Sequence, residues 1–467
     1  FEALQDRVTD QVAVPSILEI SFGGYSYGMT LGASLGITGA APHVADAGGA
    51  SVTSGLDQAR RILATREDAV VLLCGADVPR SHMKCILESR RIDAEVSHPV
   101  LERPQGATLV GMYGLLGRRL MHTAEITQED LREITRTFRG YALDNPRAVM
   151  YKKELTDKQL TREMASPYSV PMIAVMSDHG FAALLMNDTT LRVWKNKGWI
   201  KGDTTGVPLP GSATVYHSPS FIAKGELKSP AAQAAYESFA TAALSPEDLD
   251  YAWIYDCFTG MLIQQAADYF QVSRADAALS LRRGEIETAG GRTIPVNRGG
   301  GLLNYQAANT ISAATGLVDV ARQFGVYANE TTTAATGLRR ALLGGNGGLD
   351  SVNSVVLLGE EESDQTSVRE LVRPEPLQLN ETGAGDGDTG VVFATSTIYI
   401  NPSQHVIKTP YVLGVVRLDN DRWTLANLYE ATGAGEEPLR QEDGIVFDET
   451  RVRVRMADDQ VRAVVES

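Results

Sequence analysis

The first part of the chain, to about residue 185, alternates apolar runs with amphipathic helical stretches. Residues 69–81 predict a buried strand with its turn, and the apolar spacing over 54–65 predicts a helix. Thr127 precedes acidic residues that suit the first turn of a helix. Residues 177–187 predict a further buried strand. Such alternation of strands and helices is typical of an α/β fold.

A second unit of similar character runs from about residue 217 to 360, after a polar, glycine-rich stretch at 196–214 that predicts a loop. Residues 250–259 predict a strand that leads into a helix. A glycine cluster follows at 297–303, and the apolar residues 354–358 predict the last strand of the unit. Two α/β halves of like character therefore precede residue 360.

The character of the chain changes after residue 360. Residues 361–388 are charged, contain two prolines and end in ETGAGDGDTG, which is typical of a linker. Residues 389–467 are rich in alternating β-branched positions, which predicts an all-β unit large enough for a small barrel. We therefore predict an N-terminal half at 1–215, a second half at 216–360, the linker and a β domain.

The composition of the chain argues against several classes of function. The 467 residues are 43% hydrophobic and 22% charged, as in globular proteins. No stretch reaches the roughly 20 apolar residues that span a bilayer, so we expect no membrane association. The net charge of −15 argues against nucleic acid as a partner, yet permits a local basic pocket for a CoA phosphate. Cys74, Cys85 and Cys257 form no CxxC pair, so we expect the reducing cytoplasm and no metal site.

The segment VADAGGASVTSGLDQA predicts a strand, a sharp glycine turn and the start of a helix. Its central residues are Gly49, Ala50 and Ser51. This layout resembles the nucleophile elbow of the thiolase superfamily, whose members carry a cysteine at the position of Gly49. A thiolate is the nucleophile of an acyl-cysteine intermediate, so this chain lacks that route.

The resemblance to the thiolase superfamily extends along nearly the whole chain and is nearest to its sterol-carrier-protein-x and lipid-transfer-protein branch. It rests on the order of the elbow, Asn145-Pro146, SDHGFAAL, IYDCFT and PVNRGGGLL. The tail resembles the OB-fold acyl-CoA-associated domain of such proteins through GVVFATST and PYVLGVV. The resemblance implies a pseudo-duplicated, five-layered core and a homodimer. Because Phe1 already stands near the elbow, we expect the first elements of the fold to be missing or supplied separately.

The departures from the family concern its catalytic side chains. Besides the elbow cysteine, a Gly-His-Pro motif is absent after the glycine cluster, where Leu303 is followed by NYQAA. A late cysteine is absent between 327 and 348. Lipid-transfer-protein-like aldolases share this loss. The resemblance thus implies a carbon–carbon lyase that cleaves a β-hydroxyacyl-CoA by a non-covalent retro-aldol reaction, or runs the reverse addition, and we expect the missing cysteine to leave room for a branched substrate.

Four residues are candidates for proton transfer. Tyr305 lies where relatives keep their histidine, although its ring could simply pack beside the turn. Asp256 follows the strand in IYDCFT and could equally cap a helix. His179 titrates near neutrality but could be a structural histidine. Tyr327 stands in a loop-like stretch. Tyr255 is predicted to belong to the core.

The glycine-rich segments are candidates for binding the substrate and its CoA. They comprise the elbow residues Gly49, Ala50 and Ser51 and the later set Asn297, Gly299, Gly300 and Gly301. Three glycines permit positive φ and close approach of a ligand to the backbone, although a tight turn alone would also explain them. No Ser-His-Asp arrangement accompanies Ser51, so we do not expect a serine nucleophile.

Two other functions stay open at this point. One is a thiolase-like acyltransferase with an unconventional nucleophile, and the other is a non-catalytic acyl-CoA or lipid-binding subunit. We expect no permanently bound cofactor, with coenzyme A entering as part of the substrate. A hydratase or another pathway enzyme is a further candidate partner.

Overall fold

The structure is a computed structural model, and it describes residues 15–20, 27–37, 41–66, 68–82, 97–201, 206–326, 338–361, 371–400, 407–433, 435–457 and 460–466. The described strands are β1 (Pro15–Ile20), β2 (Ala41–Val44), β3 (Val70–Asp77), β4 (Glu163–Ala165), β5 (Tyr168–Ser169), β6 (His179–Met186), β7 (Gly211–Tyr216), β8 (Tyr251–Trp253), β9 (Glu285–Glu287), β10 (Thr293–Pro295), β11 (Arg340–Gly347), β12 (Val352–Gly359), β13 (Thr389–Ile398), β14 (Tyr411–Leu418), β15 (Trp423–Thr432), β16 (Gly435–Pro438), β17 (Arg451–Ala457) and β18 (Gln460–Val465).

The described α-helices are α1 (Tyr27–Ser34), α2 (Ser51–Thr65), α3 (Pro79–His82), α4 (Leu109–Ala124), α5 (Gln128–Leu143), α6 (Asp157–Thr161), α7 (Asp188–Asn196), α8 (Ala231–Ala242), α9 (Thr259–Phe270), α10 (Arg274–Leu281), α11 (Gly301–Asn304) and α12 (Ala313–Gln323). Helix α5 begins as its sequence predicts, because Thr127 and Asp130 form a capping box at its start. Within the described part of the chain, no helix is long and apolar enough to cross a membrane.

Each half of the core contributes a four-stranded sheet, in the orders β2-β1-β3-β6 and β7-β12-β11-β8. Helix α2 lies between the sheets and contacts both, and α12 packs beside it on β8 and β11. Helix α8 covers the far side of the second sheet at β7 and β12, while α1 contacts β1 and β2. The layers alternate between helices and sheets, which confirms the expected thiolase-like architecture.

Helix α2 differs from its predicted amphipathic character at its beginning. Its first residues, from Ser51 to Asp57, are all buried, because this end of the helix is enclosed by both sheets. The predicted apolar face remains, since Leu56 and Ala59 belong to the core cluster that also holds Trp253. The helix therefore carries the elbow into the interior rather than along the surface.

The β-rich tail closes into a barrel. Five strands pair in the order β14-β15-β18-β17-β13, and β13 also pairs with β14. The small barrel expected from the sequence is therefore present, while its identification as an OB fold stays a prediction. The sheet also continues through β4 and β5 of the first half. This extension into residues 163–169 was not predicted, because strands of two and three residues carry little periodic signal.

The second half begins earlier than predicted, since strand β7 starts at Gly211 and pairs with β12. The predicted loop at 196–214 therefore ends before this strand. The end of the linker is extended along the second half: Gly225 donates its N–H to the Gln378 carbonyl at 2.8 Å, and Asn380 donates to the Ala223 carbonyl at 2.9 Å. These bonds attach the linker to the core before the barrel begins.

Candidate active site

The elbow, which we define as residues 48–51, is a single tight turn between β2 and α2. Gly48 has φ +55, a conformation that favours glycine. The Ser51 hydroxyl accepts the Ala47 N–H at 2.9 Å and donates to the Gly48 carbonyl at 2.6 Å. Both bonds of this buried hydroxyl hold the turn itself. The substrate-binding roles predicted for Gly49, Ala50 and Ser51 remain predictions.

The space beside Gly49 is filled by another side chain. A Cβ built on Gly49 would overlap the Tyr255 hydroxyl and the Asn346 carbonyl oxygen, and would come 2.5 Å from Tyr255 Cζ. The expectation that the missing cysteine leaves room for a branched substrate is therefore wrong at this point. A phenol occupies the place where a side chain at position 49 would stand.

Tyr255 follows β8 and reaches the elbow from the second half. Its ring packs edge-on to Trp253 at 6.2 Å between centroids, so the prediction of a core environment is right. Its hydroxyl nevertheless lies against the elbow. Burial raises the pKa of Tyr255, and a hydrogen bond with Ser312 opposes this shift. The phenol is therefore neutral near pH 7 and can donate a hydrogen bond.

A second phenol, Tyr113, comes from helix α4. Its ring stacks on Phe258 at 4.2 Å, and its hydroxyl donates to Asn346 Oδ1 at 3.4 Å. Burial raises the pKa of Tyr113, with the neighbouring Cys257 and Asp350 adding to the effect. Burial likewise raises the pKa of the Cys257 thiol, so this cysteine is a neutral thiol beside the phenols.

The turn Asn309–Ile311 contacts the elbow, as strands β11 and β12 also do. The Asn309 Nδ2 and Thr310 Oγ1 atoms are buried and have no hydrogen-bond partner within the described residues. Buried polar atoms are usually paired, so these two are available to a water or a ligand. Sequence reasoning missed this segment because it followed the family's histidine to Tyr305, a few residues earlier.

Tyr305 lies in a different environment. Its hydroxyl accepts a bond from Arg322 Nη1, and its ring packs with Ala142 and Ala148. Burial raises its pKa, and Arg322 opposes this shift. The described contacts of Tyr305 are those of the predicted structural alternative, so its acid–base role stays a prediction.

Asp256 lies at the beginning of helix α11. Its carboxylate accepts the Leu302 N–H at 2.7 Å and the Leu303 N–H at 3.3 Å. Burial raises its pKa to about 7, while these backbone bonds oppose the shift. The side chain therefore caps a helix, as the alternative interpretation had it, but the helix is α11 rather than α9, which directly follows it in the chain.

His179 lies beside the turn that contacts the elbow. Its Nε2 is 3.5 Å from the Ile311 carbonyl oxygen, and its Nδ1 is 3.4 Å from Ser177 Oγ. Burial lowers the pKa of His179, which favours the neutral imidazole that can accept a proton. Tyr327 and Cys85 lie outside the described residues.

The glycine cluster is explained in part by protein packing. Gly300 and Gly301 have φ +107 and +64, and a Cβ on Gly301 would come 2.6 Å from Asp256 Cγ. Asn297 exchanges two bonds of 2.8 Å with the backbone of Ile254. A Cβ on Gly299 would come 2.9 Å from Asp319 Oδ1. Binding of CoA by this cluster stays a prediction.

Similar proteins share parts of the sequence. A family model described as thiolase C-terminal domain-like matches residues 214–360. A steroid side-chain-cleaving aldolase of Thermomonospora curvata is 26% identical over 239 residues, which are 48% of this chain and 58% of that protein. A 17-hydroxy-3-oxo-4-pregnene-20-carboxyl-CoA lyase of Mycobacterium tuberculosis is 25% identical over 265 residues, which are 55% of this chain and 67% of that protein. The chain thus covers between somewhat over half and two thirds of the length of these relatives.

Solved structures share the fold. A monomeric SCP2-thiolase like protein type 1 from Mycobacterium smegmatis has a TM-score of 0.69 at 18% identity, covering 99% of this chain and 91% of that chain. An Ltp2-ChsH2(DUF35) aldolase has a TM-score of 0.55 at 19% identity, covering 75% and 87%. Residues 214–360 therefore match the thiolase C-terminal domain-like family, and the whole chain shares its fold with the SCP2-thiolase like protein.

Proposed function

We propose that the protein is a carbon–carbon lyase that acts without a covalent intermediate on a β-hydroxyacyl-CoA, in the cleavage direction or the reverse. The observation that carries this proposal is the Tyr255 phenol in the space beside Gly49. A phenol is a poor nucleophile at neutral pH but a good proton donor. The names of the aldolase and lyase relatives support the same reaction class.

The reaction requires one base and donors for an oxyanion. The base removes the β-hydroxyl proton, the Cα–Cβ bond breaks, and its electrons pass to the thioester as an enolate. The former β-carbon leaves as a ketone or aldehyde, and an acid returns a proton to Cα. We assign Tyr255 as a donor to the enolate oxygen and His179 as the base, because its neutral imidazole lies beside the turn that contacts the elbow.

The partners follow from the substrate. We propose that CoA enters with the acyl group, that no cofactor is permanently bound, and that the barrel contributes to the CoA site. We further propose a cytoplasmic homodimer, which sedimentation velocity at micromolar concentration would test. A hydratase or another pathway enzyme is a candidate partner, since the structural neighbour Ltp2-ChsH2(DUF35) aldolase bears the names of two components.

The deciding experiment is to incubate the protein with a set of β-hydroxyacyl-CoAs and to measure release of ketone or aldehyde. We expect Tyr255→Phe to lower turnover by about 100-fold or more with little change in substrate binding. Tyr305→Phe tests the other tyrosine candidate directly, and Tyr236→Phe, on helix α8, is the matched control with unchanged turnover. Absence of cleavage across the set would overturn the proposal.

The acyltransferase alternative has its own signature. It would require an acyl-thioester on a cysteine, and among the described cysteines Cys257 is the one that interacts with both phenols. Because burial raises the pKa of that thiol, we expect no adduct in intact-mass spectra and little effect of cysteine alkylation on turnover. A non-catalytic subunit would bind acyl-CoA and release no product from it.

A further inference from the structure

The side chain of Asn346 connects Tyr113 to a buried carboxylate. Its Nδ2 donates to Asp350 Oδ1 at 2.8 Å, and its Oδ1 accepts from the Tyr113 hydroxyl at 3.4 Å. Asn346 and Asp350 are each 1% exposed. An ionised carboxylate can only accept hydrogen bonds, so Asp350 requires the NH₂ end of the amide to face it. The carbonyl end must then face Tyr113.

Asp350 is itself held by several donors. Ser229 Oγ donates to its Oδ1 at 2.9 Å, and Gln264 Nε2 donates to its Oδ2 at 3.0 Å. The buried Lys224 donates to the carbonyl oxygen of the preceding Leu349, and its charge favours the ionised carboxylate. Burial raises the pKa of Asp350 against these contributions. This arrangement fixes the carboxylate at the turn between β11 and β12.

We infer that Asp350 is a positioning residue that sets the direction of hydrogen bonding at Tyr113 through the Asn346 amide. This inference rests on the proposed function. With its own proton directed to Asn346, the Tyr113 oxygen presents lone pairs and accepts a hydrogen bond from the β-hydroxyl when the substrate binds, before that proton passes to the base His179. Tyr255 supplies the complementary donor. The site therefore selects a β-hydroxyacyl-CoA, whose hydroxyl donates, over a β-ketoacyl-CoA, whose carbonyl cannot.

The test reverses the orientation of the Asn346 side-chain amide with one substitution and restores an acceptor for Tyr113 with a second. In Asp350→Asn, the new amide can donate to Asn346 Oδ1 and turn that side chain, so its NH₂ end faces Tyr113. In the double variant Asp350→Asn with Asn346→Asp, the amide and the carboxylate exchange places, and Tyr113 again finds an acceptor. Each variant keeps the size of both side chains.

The readout is the ¹³Cζ resonance of Tyr113 in ligand-free protein labelled at tyrosine, assigned by its loss in Tyr113→Phe. We expect Asp350→Asn to shift this resonance and the double variant to return it. We also expect Asp350→Asn to lower kcat by about tenfold to 100-fold with KM nearly unchanged. The same variant should bind β-hydroxyacyl-CoA with less preference over its β-keto analogue. The double variant should recover part of kcat.

An unchanged resonance and an unchanged kcat in Asp350→Asn would overturn the inference, as would a shifted resonance that the double variant fails to return. If Asp350→Asn does not fold, the double variant decides: a wild-type resonance supports the inference, and an unfolded or shifted protein contradicts it. The resonance is measured without turnover. A wild-type protein that cleaves no substrate would therefore refute the proposed function and leave the amide orientation still measurable.

Discussion

At the scale of single residues, position 49 must be a glycine because its neighbours leave no room for a side chain. The family resemblance suggested a lost nucleophile, and the structure shows a position that cannot hold any side chain. The Tyr255 phenol and the backbone carbonyl of Asn346 both occupy the volume that a Cβ would need. Restoring a cysteine at position 49 alone would therefore not restore a thiolase site.

We expect Gly49→Ala to destabilise the protein by about 1–3 kcal/mol, which is the usual range for overpacking a core. Turnover should fall as well, because Tyr255 must move. Tyr255→Phe should recover little of this stability, since Phe retains the ring carbon and the Asn346 carbonyl stays in place. Thermal and chemical unfolding measure the change. Gly206→Ala is the control, because its Cβ would have no neighbour closer than 3.8 Å; an equal loss there would contradict the steric explanation.

Asp256 leads to a prediction on pH. Burial raises its pKa from the ordinary 3.8 to about 7, so the folded protein binds a proton that the unfolded chain releases at lower pH. Folding then loses stability as pH rises from about 4 to about 7. We expect the unfolding free energy of the wild type to fall relative to that of Asp256→Asn over this window, and the two to run parallel above it. A constant difference between the two proteins across the window would refute the shift.

At the scale of elements, helix α4 joins the barrel to the candidate site. One face carries Gly111 and Gly114, where side chains would collide with Ile398 and Ser396 of strand β13. Between them stand Met112 and Tyr113, and Tyr113 reaches the site. The glycines allow the barrel to approach the helix backbone closely, which in turn fixes the position of the phenol.

We expect Gly114→Ala to weaken docking of the barrel, because its Cβ would come 2.6 Å from the Ser166 carbonyl oxygen as well as against Ser396. The expected cost is about 1–3 kcal/mol of unfolding free energy, with a lower kcat from displaced Tyr113. Gly140→Ala, on the exposed face of helix α5, is the control and should be neutral or stabilising, because nothing lies within 4 Å of its Cβ. Hydrogen exchange in β13 would report the undocking, and unchanged protection there would count against it.

At the scale of the whole molecule, one side of the barrel shares a hydrophobic cluster with the α/β core, while a separate cluster fills the barrel itself. Phe393, Leu413 and Trp423 of the barrel belong to the same buried cluster as Leu115 and Leu116 of helix α4. Arg119 of that helix pairs with Asp448 of the barrel at 2.6 Å and lies over the Phe393 ring. A barrel that was only tethered would show none of this shared burial.

Removing residues 381–467 should therefore expose a large apolar surface. If the barrel were an independent unit that only contributed to the CoA site, such a truncation would weaken acyl-CoA binding and leave the core folded. With this shared cluster, we expect the truncated chain to aggregate or to lose cooperative unfolding. Size-exclusion chromatography and calorimetry would show this directly. A monodisperse truncated protein with a sharp transition would show that the core is independent after all, and its affinity for acyl-CoA would then test the role of the barrel.

Several of the longer elements could be predicted from the amino-acid sequence. Periodicity and caps are local properties, so the helix after Thr127, the strands β3, β6 and β12, and the all-β tail were all predictable. The absence of the elbow cysteine was equally visible. These features depend on residues close together along the chain.

Which side chains meet at the site emerged only with the folded molecule. Tyr255, Tyr113, Asn346 and Asp350 come from three distant stretches, and no local pattern relates them. For the same reason the sequence pointed to Tyr305 and gave no sign of the turn Asn309–Ile311, and it suggested a vacant space at Gly49 where the structure has a phenol. The chemistry of the site is set by long-range packing, whereas the sequence pattern describes short-range order.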